Sequence, residues 1–473
     1  MMKKVIAILL VLVMLATALV GCGNAGTRPS DGDMEQTPST PSEPAELEDP
    51  AEPTEPEDAT VPTEPAKEAQ AHYSHGLEFK PTEKITGEAG GYVVVGVGTC
   101  NTREIRIPDT YNGLPVVGIR SWAFQDLEWL SKVVIPDSVE WIGSTAFDNC
   151  PNLERLTIPD SVTDLEAMAV RNCPKAVETV DGVTYVDKWL LRCDPSITEL
   201  NIRPDTVGLA ENAVCGGLDG GFEGLTSVVI PNSVRYLCNA VFENCEGLKS
   251  ITLSENIREI PSRAFRWCHS LESITIPGGI SQIGEEAFSD CIALADVQLP
   301  AGLERIGWGA FAGCSSLAEV ELPDTVTDMG LGAFSGCYAM KRLKLSSGLT
   351  VIEESTFDSC SSLEVIDIPE GVTDVQEGAF YCCAAVRELL LPESLTTYTM
   401  SFGAFKWCSP TVLKIGSGIT CITEGMLCRS ENLEHIYYNG TKEAWESISI
   451  DGQWLRNLRN CTVHCTDGDI VIG

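Results

Sequence analysis

The sequence predicts a repeat solenoid, in which short parallel strands alternate with short helical turns over about 13 repeats, capped at both ends. The main observation is a phenylalanine that recurs every 23 residues, at Phe242, Phe265, Phe288, Phe311, Phe334, Phe357 and Phe380. The second observation is the two-residue apolar alternation upstream of each phenylalanine, which is typical of half-buried strands. A fixed period between about 20 and 50 residues is the signature of a solenoid.

The first 21 residues predict an export signal. Lys3 and Lys4 precede an apolar run over residues 5–19, which is shorter than the roughly 20 residues that a membrane-spanning helix needs. The run leads into Leu-Val-Gly and then Cys22, a pattern that resembles the bacterial lipobox, where the chain is cut before the cysteine and the cysteine is acylated. We expect residues 1–21 to be a lipoprotein signal peptide and Cys22 to be lipidated, with a plain secretory signal as the alternative.

Residues 22–76 are predicted to be the lipidated cysteine followed by a disordered acidic stalk. Positions 24–72 hold nine prolines and 13 Asp or Glu residues, against Arg28 and Lys67 as the basic residues. Such a composition cannot bury enough apolar surface to fold. The net charge of the whole chain is −36, which disfavours nucleic acid and anionic lipid as partners. We therefore expect contact with the membrane through the lipid anchor only.

One repeat, residues 271–293, reads LESITIPGGISQIGEEAFSDCIA. Ile274 and Ile276 alternate with polar residues and predict a strand, which the following proline ends. A second extended piece follows, and Gly284 is expected to allow a sharp turn. Ala287, Phe288 and Cys291 then fall at helical spacing, which predicts one short helical turn.

Ten of the 20 cysteines occupy one column, three residues after the phenylalanine position, and they include Cys291, Cys314 and Cys337. A nucleophile would occur once, and metal ligands converge on a point rather than along an axis. Buried cysteine behaves as a small apolar residue whose weak S–H donor can serve a backbone carbonyl. We therefore predict structural thiols, with disulfides between neighbouring repeats as the alternative.

The repeats resemble those of the BspA-like bacterial surface proteins, which have treponemal-type leucine-rich repeats. The signature L-x-x-I-x-I-P-x-x-V-x-x-I-G-x-x-A-F-x-x-C is carried by residues 130–150, 271–291 and 317–337, with Met329 at one Ile position. The segments 91–119, 180–193 and 436–448 resemble the family's N-terminal cap, repeat-interrupting hairpin and closing segment. The resemblance implies surface display and, in some members, adhesion to host matrix proteins or to other bacteria.

These observations divide the chain into seven segments. After the signal peptide (1–21) and the stalk (22–76) we predict an N-terminal cap, leucine-rich repeats, a hairpin insertion, further repeats and a C-terminal cap, at 77–103, 104–179, 180–197, 198–432 and 433–473.

The residue types give little support for catalysis, and we expect no enzyme activity, no metal and no cofactor. Cys461, His464 and Cys465 form the one compact Cys/His group, but it supplies at most three ligands. A disulfide between Cys461 and Cys465, or simple packing of the cap, is preferred to a metal. The motifs of phosphate-binding loops and of serine hydrolases are missing from the sequence.

A binding surface is the favoured alternative to catalysis. The residues that flank the buried position of each first strand are expected to face outward, and they change along the stack from Glu319 and Glu321 to Arg342 and Lys344. Trp267, Trp308 and Trp407 lie off the core pattern and are either binding residues or packing between repeats. We predict a monomeric, non-enzymatic module that binds an unknown protein or glycan, with the host matrix and other bacteria as candidate sources, and a passive envelope protein as the alternative.

Overall fold

The computed structural model describes residues 73–83, 89–215, 222–396, 403–422, 432–450 and 458–472. The predicted signal peptide, Cys22 and most of the predicted stalk lie outside these ranges. Between residues 73 and 472, successive rungs contribute strands to two parallel ladders, which we call the front and back ladders. Within the described ranges no helix has the length and apolar character to cross a membrane.

The front ladder contains the first strand of each rung. Most of these strands have three residues, and the middle one is buried while its neighbours face outward, because apolar and polar residues alternate. The ladder is interrupted after the third strand and resumes with a bridge between Leu200 and Val228. Its strands are β3 (Glu104–Arg106), β6 (Lys132–Val134), β8 (Arg155–Thr157), β14 (Ser227–Val229), β16 (Ser250–Thr252), β18 (Ser273–Thr275), β20 (Asp296–Gln298), β22 (Glu319–Glu321), β24 (Arg342–Lys344), β26 (Val365–Asp367), β28 (Glu388–Leu390), β29 (Val412–Ile415), β31 (His435–Tyr438) and β33 (Cys461–Cys465).

The back ladder contains the second strand of each rung. Most of these strands have two residues, of which the second is buried. They are β5 (Leu114–Ile119), β7 (Trp141–Ile142), β9 (Asp164–Leu165), β13 (Gly208–Leu209), β15 (Tyr236–Leu237), β17 (Glu259–Ile260), β19 (Gln282–Ile283), β21 (Arg305–Ile306), β23 (Asp328–Met329), β25 (Val351–Ile352), β27 (Asp374–Val375), β30 (Cys421–Ile422) and β32 (Ser449–Ile450).

Antiparallel strands stand at both ends of the ladders and at one internal point. At the N-terminal end β1 (Glu78–Glu83) pairs with β2 (Ala89–Gly96), which joins β5, and β4 (Thr110–Tyr111) also pairs with β5. At the C-terminal end β33 pairs with β34 (Gly468–Ile472). A short helix, α1 (Lys442–Glu446), is capped by Thr441 and buries Trp445.

The internal interruption consists of β10 (Glu178–Val180), β11 (Val183–Val186) and β12 (Trp189–Cys193), which pair antiparallel in that order. Strand β12 then runs parallel to β13 and so enters the back ladder. Trp189 is buried against Gly208, where an added Cβ would lie 2.5 Å from the indole. The insertion therefore packs into the stack instead of leaving it as a free loop.

The predicted short helical turns are wrong. In their place each rung makes successive four-residue β-turns, closed by hydrogen bonds such as Ser289 N–H to Glu286 O and Cys291 N–H to Phe288 O, both at 3.1 Å. Glu286 and Asp290, two residues before and after Phe288, have positive φ angles of 51° and 59°. Left-handed residues break a helix, so the spacing of three residues reflects turns and not a helical segment.

The phenylalanine column forms a stack of rings in the core. Seven consecutive contacts between Phe242 and Phe405 have ring centroids 5.1–5.6 Å apart and nearly parallel planes. A separate pair, Phe124 and Phe147, stacks at 5.1 Å. Each rung is joined to the next beside these rings, as when Phe288 N–H donates to Ala310 O at 2.7 Å.

All ten column cysteines are buried free thiols, so the alternative of disulfides between neighbouring repeats is wrong. Each thiol donates to the carbonyl at the phenylalanine position of the preceding rung; Cys291 Sγ lies 3.1 Å from Phe265 O and Cys314 Sγ lies 3.2 Å from Phe288 O. Burial raises the pKa of the Cys314 and Cys337 thiols well above the ordinary value. These thiols are protonated hydrogen-bond donors inside the core and cannot act as nucleophiles there.

Candidate functional site

The front ladder carries a shallow groove of about 600 Å³ across β20, β22 and β24. Glu319, Glu321, Arg342 and Lys344, the four charged residues expected to bind a ligand, all line it. Their side chains face outward because they flank the buried Val320 and the half-buried Leu343. The groove is open, and its floor is the strand surface itself.

These four charges pair with one another across adjacent rungs. Arg342 Nη1 lies 3.2 Å from Glu319 Oε1, and the Lys344 ammonium contacts the Glu321 carboxylate. The Glu321 carboxylate raises the pKa of the Lys344 ammonium. The predicted alternation of charge is therefore internally neutralised, and exposed pairs of this kind contribute only about 0–1 kcal/mol to stability.

A second groove of about 480 Å³ runs along the back ladder and has a mixed lining. One wall is polar: Arg305 Nε lies 2.9 Å from Asp328 Oδ2, and Gln282 contacts Glu259. The other wall belongs to the corner between the back strand and the turn. We call this feature the back groove.

The opposite wall of the back groove contains an apolar pair, Trp308 and Leu331. The two residues are one repeat apart, and they are 47% and 44% exposed. Other rungs place Ser262, Glu285 and Glu354 at the same position. Large exposed apolar side chains on two adjacent rungs make this the most apolar part of the groove rim.

Glycines form the floor of the back groove. A Cβ at Gly284, Gly307 or Gly330 would lie 2.5–2.6 Å from a backbone nitrogen of the preceding rung. The expected turn starts at Gly284, whose carbonyl accepts from Ala287 N–H, but Gly284 does not have a positive φ angle. It permits close approach between rungs, which keeps the floor flat.

Trp267 and Trp407 occupy a left-handed position, with φ angles of 62° and 71°. Asp290 and Gly313 hold the equivalent position in other rungs. Trp267 is half-buried beneath the Arg266 guanidinium, whose carbon lies 4.1 Å from the ring centroid. Its ring therefore packs against a neighbouring side chain, whereas Trp407 is 37% exposed.

Two exposed residues were missed by the sequence analysis. Leu331 stands 23 residues after Trp308, so aligning the repeats would have found it. Trp122, which is 64% exposed, has a φ angle of 65° two residues before Phe124. The signal there was a tryptophan at a position that Gly309 and Gly332 fill in other rungs.

The compact Cys/His group is split between the two faces of β33. Cys461 is buried and Cys465 packs against the core, whereas His464 lies on the outer face. Both cysteines are free, so the predicted disulfide between them is wrong. Over the ranges that the structure describes, no group of three or more His, Cys, Asp or Glu side chains is arranged to hold a metal.

Comparison with known proteins gives a family match over most of the chain. The model described as BspA type leucine-rich repeat region matches residues 98–215, 221–341, 282–409 and 379–458. Among curated proteins no relative matches the chain.

Several solved structures of bacterial proteins are similar to this chain. A leucine-rich cell surface protein from Faecalibacterium prausnitzii is 26% identical over 80% of this chain and 98% of that chain, with a TM-score of 0.32. A leucine-rich repeat protein from Bacteroides ovatus is 20% identical over 84% and 100%, with a TM-score of 0.36. The leucine-rich repeat protein of Treponema pallidum is 23% identical over 51% and 88%, with a TM-score of 0.22. The family model, and not these superpositions, carries the assignment.

Proposed function

Since the chain belongs to the BspA-type leucine-rich repeat family, we propose that it is a non-enzymatic module displayed on the bacterial cell surface that binds a protein ligand. The ligand class is an extended protein segment, and adhesion to host matrix proteins or to other bacteria is the biological role. Family membership supports a binding role for the repeats, and we assign the binding to the back groove.

The observation that carries this proposal is the apolar pair Trp308–Leu331 beside paired polar side chains. Tryptophan is enriched among residues that dominate binding energy, particularly where a polar rim excludes water around it. Here the polar groups are the Arg305–Asp328 and Gln282–Glu259 pairs on the opposite wall of the back groove. Each pair has its own charges or hydrogen bonds satisfied, so a ligand need not supply a counter-charge.

The groove favours an extended ligand because its lining repeats along the stack. Adjacent strands in a sheet are about 4.8 Å apart, and each rung supplies one outward strand residue and one rim residue. A segment lying along the ladder therefore meets similar contacts at every rung, with the strongest apolar contact at Trp308.

Display at the surface rests on the N-terminal sequence. The signal peptide (1–21) directs export, acylation of Cys22 anchors the chain in the membrane, and the acidic stalk carries the repeats away from it. Stable anchoring takes more than one acyl chain, because a single chain binds only reversibly.

The proposal is tested by binding of the full-length chain, in detergent, to an array of matrix proteins, mucins, glycans and bacterial surfaces at physiological salt. We expect saturable binding to a protein that is lost when Trp308 and Leu331 are both changed to serine. The matched control is Val229→Ser, which removes an exposed apolar side chain from the front ladder and should leave binding unchanged.

Charge reversal at Arg342 and Lys344 separates the two grooves. If Arg342→Glu with Lys344→Glu abolishes binding and the back-groove double variant does not, the ligand lies on the front ladder and the assignment is wrong. Saturable binding to a glycan, without binding to any protein, would show that the ligand is a glycan and not a protein. A folded chain that binds nothing on the array would favour the second reading, a passive structural protein of the envelope.

A further inference from the structure

Four side chains meet on the outer face of the front ladder at its C-terminal end. They are His435 and Tyr437 on β31, His464 on β33 and Asp469 on β34. The strand register places Tyr437 beside His464 and His464 beside Asp469. The closing hairpin thus brings a carboxylate and two imidazoles together from three strands.

The contacts form a directional chain. His464 Nδ1 lies 3.0 Å from Asp469 Oδ1, and His464 Nε2 lies 3.1 Å from His435 Nδ1. Because an ionised carboxylate only accepts hydrogen bonds, Nδ1 of His464 carries the proton and Nε2 offers its lone pair. In the neutral state that lone pair accepts the N–H of His435.

The separation of the two nitrogens fits a single metal ion. Zinc–imidazole bonds are about 2.0–2.1 Å long, so two nitrogens on one tetrahedral ion are about 3.3 Å apart. The observed 3.1 Å requires a change of a few tenths of an ångström, with rotation of both rings to aim their lone pairs at the ion. Late divalent transition ions prefer imidazole nitrogen.

The surroundings fix one of the two rings in a state that suits metal binding. Ligating histidines almost always donate their other N–H to a carboxylate or carbonyl, which sets tautomer and orientation. Asp469 makes this contact with His464, and the Tyr437 ring stacks on the same imidazole with centroids 4.7 Å apart. His464 is 29% exposed, so its face remains accessible to solvent.

We propose that His435 Nδ1 and His464 Nε2 bind one divalent late transition-metal ion, with zinc as the type and water completing its coordination. On binding, His435 changes tautomer: the proton leaves Nδ1 for solvent and another is taken up at Nε2. No net proton is released when both rings begin neutral. Cys461 and Cys465 do not take part, because they face the core.

The test is titration of the full-length chain, purified in detergent without a polyhistidine tag, with Zn²⁺ and Co²⁺. We expect one site that is lost in His464→Ala and in His435→Ala. Asp469→Asn should weaken binding about 10–100-fold, as expected when an outer carboxylate partner is lost. His269→Ala, which removes an imidazole elsewhere, and Cys461→Ser are the matched controls and should leave the affinity unchanged.

The Co²⁺ spectrum distinguishes the ligands, because thiolate ligation adds a sulfur-to-metal charge-transfer band that imidazole ligation lacks. Melting of each variant without metal checks that it is folded. A wild-type chain that takes up no Zn²⁺, binding that survives His464→Ala, or a thiolate band from the occupied site would each overturn the proposal. Equal binding of Ca²⁺ or Mg²⁺ would do so as well, since these ions prefer oxygen ligands.

Discussion

A cysteine of the repeat column links two rungs through one hydrogen bond. Cys268 Sγ lies 3.2 Å from Phe242 O, 26 residues upstream, and both residues are buried. The sequence column predicted a buried thiol that serves a backbone carbonyl. The identity of the acceptor could not be predicted, because it depends on how far the turns of adjacent rungs are offset.

Because the thiols are buried, the stability of the protein is expected to decrease as the pH rises in the alkaline range. Burial raises the pKa of the Cys268 thiol to about 12 from its ordinary value of 9.0. Since the folded state holds this proton more tightly, the contribution is complete below about pH 9 and is lost as pH rises toward 12. We expect the melting temperature to fall between about pH 8 and about pH 10.5.

The check is to measure the same interval in Cys268→Ala. The variant is less stable at both pH values. Between them, however, its free energy of unfolding should decrease by about 2 kcal/mol less than that of the wild type, which is the contribution of one thiol. An identical pH dependence in the two proteins would show that Cys268 titrates normally.

Phe311 and Trp308 are three residues apart and should respond differently to truncation. Phe311 is fully buried between Phe288 and Phe334, with both ring contacts at 5.1 Å. Phe311→Ala should cost about 3–5 kcal/mol, and Trp308→Ala should cost much less because its side chain is 47% exposed. Denaturant unfolding measures both, and equal losses would contradict a surface role for Trp308.

At the corner between the back strand and the turn, adjacent rungs approach so closely that Gly307 has no room for a side chain. A Cβ at Gly307 would lie 2.6 Å from the backbone of Gly284 and Glu285. We expect Gly307→Ala to destabilise the protein by about 1–3 kcal/mol, the range for overpacking. Thermal melting measures it.

Gly278 supplies the control for that substitution. An added Cβ there has no heavy atom within 4 Å and no positive φ angle is involved. Gly278→Ala should therefore be neutral or stabilise by about 0.4–1 kcal/mol through the unfolded state. Similar destabilisation at both glycines would mean that the close approach of adjacent rungs does not explain the loss at Gly307.

The turn itself shows why one element was misassigned. Ala287, Phe288 and Cys291 have the spacing of a helix, but the same spacing arises when β-turns with hydrogen bonds between residues three apart follow one another. The distinguishing signal lies two residues before and after Phe288, where Gly309, Gly332, Gly313 and Gly336 recur in later repeats. These columns mark left-handed backbone, which a helix does not accommodate.

At the scale of the whole molecule, the ring stack is divided into two blocks. Phe124 and Phe147 form one run, and the eight rings from Phe242 to Phe405 form the other, with Val170 and Val214 between them. In a solenoid each repeat interacts with its neighbours only. We expect the two blocks to open independently.

Hydrogen exchange followed by mass spectrometry tests this expectation. Phe147→Ala should accelerate exchange in β7 and β9 and leave β19 and β21 unchanged, whereas Phe311→Ala should do the reverse. Uniform acceleration along the chain in either variant would contradict independent blocks.

Much of the fold follows from the 23-residue period, because the period determines which residues lie side by side in each column. The candidate sites can be predicted less completely from this period. The outward direction of Glu319 and Arg342 was predictable, but their pairing depends on side-chain torsions across two rungs. His435 and His464 are 29 residues apart and meet because the closing strands depart from the period.

The bond from each thiol to the rung before it has a consequence for the number of repeats. Inserting or deleting one whole 23-residue unit would leave every column in register. The new unit brings its own thiol, ring and glycine, and its neighbours offer the same acceptors as before. The number of repeats could therefore change in whole units, and the length of the strand stack would change with it in steps of about 4.8 Å.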